Sequence, residues 1–301
     1  MNSNDILFSV IINCYNSEEF LNECIDSVLN QSHPNLEIVI INNKSTDNTK
    51  NIIHSYSDKR IKYFETPKFM PLGKARNFGL NKVNGEFIGF LDSDDYWESD
   101  KLKDSINLFD KNNGVVYSDV TYFYNNGSFK LYDKRRPHKG NCFEKLLIDY
   151  SLCLSSILIS KEIIDKYSIE FNETYEVCED YDFFIRLAAK TQLNFVNKPH
   201  VNYRIHNNNL TSKKRLLFFK EKETIIKSLS SINIKIKEKA LFQNQIEMAV
   251  YFWKSRQIFK SFKILKNQNN FFFNRVFYSV LFLIPYNLIK RTINYRSIFD
   301  N

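Results

Sequence analysis

The first half of the chain alternates between short apolar runs and segments with apolar residues at helical spacing. The apolar runs are bounded by polar residues and predict buried strands; they are Phe8–Ile12, Glu37–Ile41, Arg60–Phe64 and Glu86–Leu91. The segments between them predict helices at Glu18–Gln31, 45–55 and Leu72–Val83. This alternation with short connections predicts an α/β fold with a doubly wound, Rossmann-like sheet.

The pattern becomes less regular in the middle of the chain and purely helical near its end. The middle predicts a strand at Val115–Phe123 and helices at Glu98–Phe109, Cys142–Ile148, Lys161–Lys166 and Asp180–Lys190. The last part predicts helices at Leu216–Leu229 and Leu241–Leu265, the second with an apolar stripe of Phe242, Ile246, Ala249, Val250 and Trp253. We therefore expect one domain over 1–212, with halves of about 1–115 and 116–212, and a helical extension over 213–301.

Composition excludes a wholly disordered chain, because 43% hydrophobic and 25% charged residues are ordinary for a globular protein. The net charge of +8 is unevenly divided. Residues 1–212 carry 24 Lys and Arg against 29 Asp and Glu, a net charge of −5, whereas residues 213–301 carry 18 against 5, a net charge of +13. A basic end on an acidic body is typical of contact with nucleic acid or with a membrane surface.

Cysteine usage and the chain start favour a cytoplasmic protein. The five cysteines have no CxxC or Cys/His metal spacing, which favours buried, reduced thiols. No basic segment followed by a long apolar stretch begins the chain, so we expect no secretory signal. The longest nearly uncharged apolar run, Val276–Ile289, has 14 residues, whereas a spanning helix needs about 20. We expect no segment to cross a membrane alone.

The basic end combines apolar runs with flanking cations. Residues 271–273 are three phenylalanines, 276–284 are strongly apolar, and the flanking cations are Arg275, Lys290, Arg291 and Arg296. This pattern favours attachment of 271–301 to an anionic membrane surface. The alternatives are a helical subdomain packed on the first domain and an oligomer interface. Nucleic acid is disfavoured because no recognised motif accompanies the charge.

Two acidic pairs are candidates for chemistry. Asp92 and Asp94 follow a predicted strand, where two carboxylates can address one Mg²⁺ or Mn²⁺ ion together with substrate phosphates; a turn with a helix N-cap is the alternative. Glu179 and Asp180 open a predicted helix, where a carboxylate can serve as a general base. Acidic residues are also common at helix N-termini because they complement the helix dipole.

Two isolated cationic side chains are weaker candidates. Arg76 has a guanidinium suited to diphosphate oxygens, although a lone Arg is more often a solvated helix residue. His206 has an imidazole suited to a metal or a phosphate, although a lone His is more often neither.

The joint order of seven segments is more specific than any of them alone. They are Ser9–Asn16 (SVIINCYN), Ser27–Gln31 (SVLNQ), Ile41–Thr49 (INNKSTDNT), Ala75–Leu80 (ARNFGL), Gly85–Ile88 (GEFI), Phe90–Trp97 (FLDSDDYW) and Glu179–Leu187 (EDYDFFIRL). Together they resemble the family 2 glycosyltransferases, which have the GT-A fold. The resemblance covers residues 6 to about 210.

The resemblance implies an inverting transfer of a sugar from a nucleotide-diphosphate sugar to a hydroxyl group. In this sequence it implies that five residues lie around the nucleotide: Asn13, Tyr15, Asn43, Arg76 and Asp92. It implies that Asp94 coordinates Mn²⁺ or Mg²⁺ and that His206 approaches the metal. It also implies that Asp180 is the catalytic base, with Glu179 on the acceptor side. A metal-bound diphosphate is a stabilised leaving group because the cation offsets the developing charge. An opposed base then gives a single in-line displacement.

Two departures from the family pattern refine this expectation. Asn42 and Asn43 replace the acids that are common after the second strand. The Asn43 carbonyl can still accept a hydrogen bond from a uracil N–H, so a uridine donor is favoured. The replacement nevertheless makes the identity of the nucleotide base less firmly indicated. The Gln-x-x-Arg-Trp signature of processive members is absent from 181–301, which predicts a single-addition enzyme.

We therefore expect a hexosyl- or N-acetylhexosaminyltransferase of cell-surface polysaccharide or glycolipid synthesis. Its acceptor is expected to be a saccharide or a lipid-linked saccharide at the cytoplasmic face of the membrane. A non-catalytic nucleotide- or saccharide-binding module is the alternative, although Asp92, Asp94 and Asp180 are all present. A sugar nucleotidyltransferase is disfavoured because residues 13–17, after the first strand, contain no Gly.

Overall fold

The computed structural model describes residues 5–266 except 111–112, 125–126, 134 and 207–208. The segment 271–301, for which the sequence predicts membrane attachment, lies outside these residues. The chain divides into two compact units. The first comprises the residues as far as Phe143 together with Ser151–Asn209, and the second comprises Glu144–Tyr150 and the chain from Leu210 onward.

The described residues of the first unit form one mixed sheet of nine strands. The strands are β1 Phe8–Cys14, β2 Leu36–Asn42, β3 Ile61–Glu65, β4 Phe87–Asp92, β5 Tyr96–Trp97, β6 Asn113–Tyr124, β7 Gly127–Lys130, β8 Ile157–Ser160 and β9 Gln192–Arg204. Their order is β3-β2-β1-β4-β8-β6-β9-β5, and β7 pairs with β6. The first four strands are parallel to their neighbours in this group, whereas β8 is antiparallel to both β4 and β6. The expected α/β architecture with one mixed sheet is confirmed.

The helices connect the strands and make up the second unit. They are α1 Leu21–Leu29, α2 Thr49–Ser55, α3 Leu72–Leu80, α4 Lys101–Ile106, α5 Phe143–Ile148, α6 Lys161–Tyr167, α7 Glu179–Ala188, α8 Leu210–Lys213, α9 Arg215–Ser228, α10 Ile234–Lys254 and α11 Ile258–Lys266. Every residue of β2 is buried, as expected for a parallel strand covered on both faces. Gly79 lets α3 approach this sheet, since a Cβ there would lie 2.8 Å from Ile11 Cγ2.

The second unit has its own apolar core. The stripe predicted on the last helix is buried, and Leu265 packs with it. Asn244, fully buried, donates from Nδ2 to the carbonyl of Phe219 at 2.9 Å and so joins α10 to α9. Among the described residues, no helix combines the length and the apolar character that a bilayer span requires.

The fold differs from the sequence-based expectation in one helix and in four strands. The helix expected at Leu241–Leu265 is two helices, α10 and α11, because the chain turns at 255–257 with Arg256 at φ 59°. The strands β5, β7, β8 and β9 were not expected. The strand β9 contains Lys198 and Pro199 in a polar sequence, and it pairs with β6 through register shifts on either side of Asp119. Such bulges interrupt the regular alternation by which strands are recognised.

Candidate active site

The candidate site lies at the carboxyl edge of the parallel strands. Asn13, near the end of β1, pairs with Asp92 at the end of β4, and Cys14 pairs with Asn42 at the end of β2. Ligands of open α/β sheets bind outside this edge. The Oδ1 atom of Asn13 is buried and has no hydrogen-bond partner among the described residues. A buried acceptor without a partner is rare in a folded protein and indicates a place where a ligand group can donate.

The loops after β1 and β2 are held together by side-chain hydrogen bonds. Asn16 adopts a left-handed conformation at φ 51°, which Asn tolerates better than most residues. Its Oδ1 accepts from the N–H of Thr46 at 2.8 Å, and the N–H of Ser17 donates to Thr49 Oγ1 at 2.8 Å. Tyr15 lies on this loop with its side chain 51% exposed, and its ring centroid is 4.7 Å from that of Phe69. Tyr15 and Phe69, which lies after β3 and is 56% exposed, therefore form an exposed aromatic pair beside the strand edge.

Asn43 has a different environment from the one that a base-reading side chain requires. It is buried, and its Oδ1 accepts from the Met70 N–H at 2.9 Å and from the Thr66 hydroxyl at 3.2 Å. Its Nδ2 donates to the Met70 carbonyl at 2.8 Å. The amide thus fixes the segment that carries Phe69. An aspartate could not reproduce this pairing, because an ionised carboxylate has no donor for the Met70 carbonyl.

Arg76 is buried between two carboxylates. Its Nη2 donates to Asp92 Oδ1 at 3.0 Å, and its Nη1 forms a short hydrogen bond with Glu179 Oε1. The guanidinium lies 5.6 Å from the ring centroid of Phe171. Gly73 lets α3 approach α7 here, since a Cβ at this position would lie 3.4 Å from the Cβ of Glu179. We call Arg76, Asp92, Glu179 and Asp180 the Arg76 cluster.

Burial and mutual repulsion change the protonation equilibria within the Arg76 cluster. Burial raises the pKa of Glu179 to about 8, although the Arg76 charge opposes this shift. Burial also raises the pKa values of Asp92 and Asp180, again against the effect of Arg76. Burial alone would lower the pKa of Arg76, but the carboxylates of Glu179 and Asp92 raise it above its ordinary value. Perturbed acids of this kind in a cleft are typical of catalytic sites.

Asp180 occupies the first turn of α7 and is half-buried. Its Oδ1 accepts from the N–H of Tyr181 at 2.6 Å. Its raised pKa makes the ionised carboxylate a stronger base than an Asp in water. The structure therefore places Asp180 at the start of α7, and its role as a catalytic base stays a prediction.

Asp94 and His206 form a second, more open pair. Asp94 Oδ2 and His206 Nε2 are 2.8 Å apart, with side-chain exposures of 30% and 23%. Asn209 Nδ2 is 3.4 Å from the same oxygen. The His206 ring packs against Phe20 at a centroid distance of 5.5 Å. The two residues are 112 positions apart in sequence, and the fold brings them together.

The donor atoms of the Asp94–His206 pair suit a divalent cation of the manganese type. Carboxylate oxygen and imidazole nitrogen are both ligands for such ions. Across the described parts of the chain, no cluster of three or more His, Cys, Asp or Glu side chains is arranged to hold a metal ion. Asp94 and His206 thus provide two donor atoms of suitable type, and an ion bound there would need further ligands from elsewhere.

Four residues around this pair were not selected from the sequence. Asp95 is buried and accepts from the Ser155 hydroxyl at 2.7 Å and from the Arg204 N–H at 3.0 Å. Arg204 and Asn209 both contact Asp94. The acidic run 92–95 gave a signal for Asp95, whereas Ser155 carries no local signal because its partner is 60 positions away.

The comparisons with known proteins agree with the family resemblance that the sequence shows. The model of glycosyl transferase family 2 matches residues 9–168. The chain is 28% identical over 213 residues to the UDP-Glc:alpha-D-GlcNAc-diphosphoundecaprenol beta-1,3-glucosyltransferase WfgD of Escherichia coli, with 70% of this chain and 81% of the relative covered.

Solved structures share the fold at low sequence identity. One is S. aureus TarS 1–349 in complex with UDP-GlcNAc, with a TM-score of 0.65, 20% identity, and 87% of this chain and 81% of that chain covered. Another is the mannosyltransferase PcManGT from Pyrobaculum calidifontis in complex with GDP-Man and Mn²⁺, with a TM-score of 0.58, 13% identity, and coverage of 96% and 88%. The expected family and fold are confirmed: the chain belongs to glycosyl transferase family 2 and is a glycosyltransferase of the GT-A fold.

Proposed function

We propose that this glycosyltransferase transfers one sugar, with inversion, from a uridine-diphosphate sugar to a hydroxyl group of a saccharide or a lipid-linked saccharide. The observation that carries this proposal is the placement of the Arg76 cluster and the Asp94–His206 pair along one four-residue acidic segment, 92–95, at the strand edge. An inverting displacement needs a base for the attacking hydroxyl and stabilisation of the departing diphosphate, and the two arrangements would supply them. The names of WfgD and TarS, with UDP-Glc and UDP-GlcNAc, support the uridine donor.

Asn13, Tyr15, Asn43, Arg76 and Asp92 form the donor side in this proposal. Asn13 supplies Oδ1, a hydrogen-bond acceptor that has no partner among the described residues. Tyr15 supplies an exposed ring on which the nucleotide base can stack. Asn43 acts through Met70, because both atoms of its amide are already hydrogen-bonded there. Arg76 acts by holding Asp92 and Glu179, because its guanidinium is buried between them.

Asp94 and His206 would hold a divalent cation, Mn²⁺ or Mg²⁺, together with the donor diphosphate. When bound, such an ion stabilises the negative charge that develops on the departing diphosphate. PcManGT, which shares the fold, is bound to Mn²⁺. This chain's own contribution is to present Asp94 and His206 2.8 Å apart, with the Asn209 amide beside the carboxylate.

Asp180 would accept the proton of the attacking hydroxyl. Its placement at the start of α7 gives it one backbone hydrogen bond, to the N–H of Tyr181, and leaves its charge close to that of Arg76. Glu179, on the acceptor side, would remain paired with Arg76 and thereby fix the first turn of α7. Asp180, the proposed base, is thus held in place by Glu179, its neighbour in sequence.

The chain's remaining parts fit an enzyme acting at a membrane surface. We propose that 1–212 is the catalytic domain and that the basic extension 213–301 brings it to the cytoplasmic face of an anionic membrane. The acceptor of WfgD, an undecaprenol-linked sugar by its name, supports a lipid-linked acceptor. Deletion of 271–301 should release the protein from phosphatidylglycerol vesicles; equal binding by the truncated chain would contradict this part of the proposal.

The metal role can be tested with a matched pair of aspartates. Asp94 and Asp58 are both 30% exposed at the side chain and both contact a cationic or basic side chain, His206 and Arg60. We expect donor hydrolysis by the wild type with Mn²⁺ and UDP-GlcNAc or UDP-Glc, and little with GDP-, CDP- or dTDP-sugars. EDTA and Asp94→Ala should abolish it, whereas Asp58→Ala should leave it within about twofold. Hydrolysis that persists in Asp94→Ala and in EDTA would exclude the metal role.

A further inference from the structure

Arg204, at the end of β9, contacts the loop that carries Asp94. Its Nε donates to the Asp94 carbonyl at 3.1 Å, and its Nη2 forms a short ion pair with Glu23 of α1. Its side chain is 18% exposed. These contacts connect the last strand of the sheet, the metal-facing loop and the first helix through one guanidinium.

The plane of this guanidinium is held by aromatic rings. The Arg204 Cζ lies 4.2 Å from the ring centroid of Phe20 and 4.7 Å from that of Phe123. Phe123 is the register partner of Arg204 in the β6–β9 pair, so the sheet itself places this ring. Cation–π contacts at these distances are favourable, and they suit the planar guanidinium. The rings fix the direction in which Nε donates.

The main chain around Arg204 holds the same acidic segment. Its N–H donates to Asp95 Oδ1 at 3.0 Å, and its carbonyl accepts from Asn209 Nδ2 at 3.2 Å. His206, two residues further along, contacts Asp94 Oδ2 at 2.8 Å. Arg204 therefore fixes both the loop that provides Asp94 and the segment that provides His206.

We propose that Arg204 is a positioning residue that sets the separation of the Asp94 and His206 side chains for a divalent cation. The inference rests on the metal role in the proposed function. It assigns Arg204 no contact with the donor, because its guanidinium is occupied by Asp94, Glu23 and the two rings. A lysine would keep the charge but has no planar fork to serve the carbonyl and the carboxylate together.

The proposal is tested by measuring Mn²⁺ affinity, which is independent of turnover. Full-length wild type, Arg204→Lys, Glu23→Gln and Asp94→Ala are titrated with Mn²⁺ in saturating UDP, and free Mn²⁺ is followed by electron paramagnetic resonance. Arg60→Lys is the matched control, because Arg60 pairs with Asp58 at the opposite end of the parallel strands, where β3 begins. UDP affinity without metal is measured by calorimetry for each variant.

We expect Arg204→Lys to weaken Mn²⁺ binding about tenfold, the lower end of what second-sphere substitutions cost. Glu23→Gln, which leaves Arg204 and its ring contacts in place, should weaken it about two- to threefold, and Arg60→Lys should leave it unchanged. UDP affinity without metal should be the same in all variants.

Three results would overturn the inference. Mn²⁺ affinity that is lost in Asp94→Ala but unchanged in Arg204→Lys and Glu23→Gln would remove the positioning role while leaving the metal role intact. Mn²⁺ affinity that survives Asp94→Ala would remove the metal role and the inference together. Weaker UDP binding without metal in Arg204→Lys would indicate a direct phosphate contact instead. If Arg204→Lys melts below the assay temperature, the Glu23→Gln titration decides.

Discussion

The two acidic arrangements at the strand edge differ in how their charges are stabilised. In the Arg76 cluster, the guanidinium and the Glu179 side chain are only 4% and 3% exposed, and they are hydrogen-bonded to each other inside the protein. The Asp94–His206 pair is 30% and 23% exposed and is contacted by Arg204 and Asn209. The Arg76–Glu179 pair is enclosed by the protein itself, whereas the Asp94–His206 pair and the Asp92 end of the Arg76 cluster, 36% exposed, are accessible to solvent.

This difference indicates a division of tasks. Removing a partner from a buried ion pair leaves an uncompensated charge, so the Arg76 cluster is expected to be sensitive in both folding and catalysis. A half-exposed pair contributes little to stability and can exchange partners. The Asp94–His206 pair can therefore open toward a cation and a diphosphate, while the Arg76 cluster keeps Asp180 in place.

The largest expected effect is on catalysis by Asp180. Asp180→Asn removes the base while retaining the size of the side chain, so we expect the transfer rate to fall by about 10²–10⁴-fold. The affinity for UDP with Mn²⁺ should be unchanged, since the Asp94–His206 pair is intact. Steady-state kinetics and UDP calorimetry measure the two quantities. Full transferase activity in Asp180→Asn would exclude this residue as the base.

The next-largest expected effect is a loss of stability, which tests whether the Arg76–Glu179 pair is buried away from solvent. Arg76→Met leaves Glu179 buried without its cation, so we expect the free energy of unfolding to fall by about 3–5 kcal/mol above about pH 8, where Glu179 is ionised in the wild type, and by less at lower pH. Arg60→Met, which breaks a pair with 27% and 30% exposed side chains, should cost no more than about 1 kcal/mol. Urea unfolding monitors both variants. Equal losses would show that burial does not distinguish the two pairs.

Lys101 contrasts with Arg76, because it is a buried lysine with no carboxylate partner among the described residues. Lys101 is fully buried, and its Nζ donates to the Ser156 carbonyl at 2.7 Å. Burial lowers the pKa of Lys101 from 10.5 to about 7. The unfolded chain therefore binds more protons than the folded chain between about pH 7 and pH 10.5, so this group makes stability rise with pH in that window.

Lys101→Met should remove this contribution. The difference in the free energy of unfolding between wild type and Lys101→Met should shift in favour of the wild type as the pH rises from 7 to 10, by a few kcal/mol at most. Groups common to both chains cancel in this difference. Urea unfolding at pH 7, 8.5 and 10 provides the measurement, and a difference independent of pH would show that Lys101 titrates as an exposed lysine does.

The smallest expected effect concerns the exposed ring at the donor side. Tyr15→Ala should weaken UDP binding about tenfold, or ~1.4 kcal/mol, within the range for a base stacked on an aromatic ring. Tyr167→Ala is a suitable control, because Tyr167 is also exposed, at 36%, and ends α6, which begins at the opposite edge of the sheet, where Ser160 pairs with Phe87 at the start of β4. Calorimetry with UDP and with ribose 5-phosphate separates base from phosphate contacts. An equal loss for both ligands would contradict stacking on Tyr15.

The sequence predicted the strand edge and the residue types of the site more fully than their contacts. Asp92, Asp94 and Asp180 were found because strand ends, helix starts and a known order of motifs are local features. The pairing of Arg76 with Glu179 spans 103 positions, and that of His206 with Asp94 spans 112. Neither pairing has a local pattern. The nucleotide role of Arg76 therefore rests on the family resemblance and remains a prediction, whereas the structure shows Arg76 in contact with carboxylates.

Asn43 is a second residue whose position, but not whose contacts, could be predicted from the sequence. Its position after β2 was predictable, and a base-reading role followed from the family pattern. The structure hydrogen-bonds its amide to Met70, 27 positions away, in a segment without regular structure. A side chain's partners depend on where distant loops converge, which no periodicity records.

The sequence by itself determined the α/β class, the family, the order of the first four strands along the chain and the acidic residues at their ends. These follow from hydrophobic period and from motif order, both of which are local properties of the chain. Only the tertiary structure decided which charges are neutralised in the interior and which remain exposed to solvent. That distinction depends on burial. A carboxylate that is 3% exposed, as in Glu179, is a structural partner, whereas a carboxylate that is 30% exposed, as in Asp94, is accessible to a ligand.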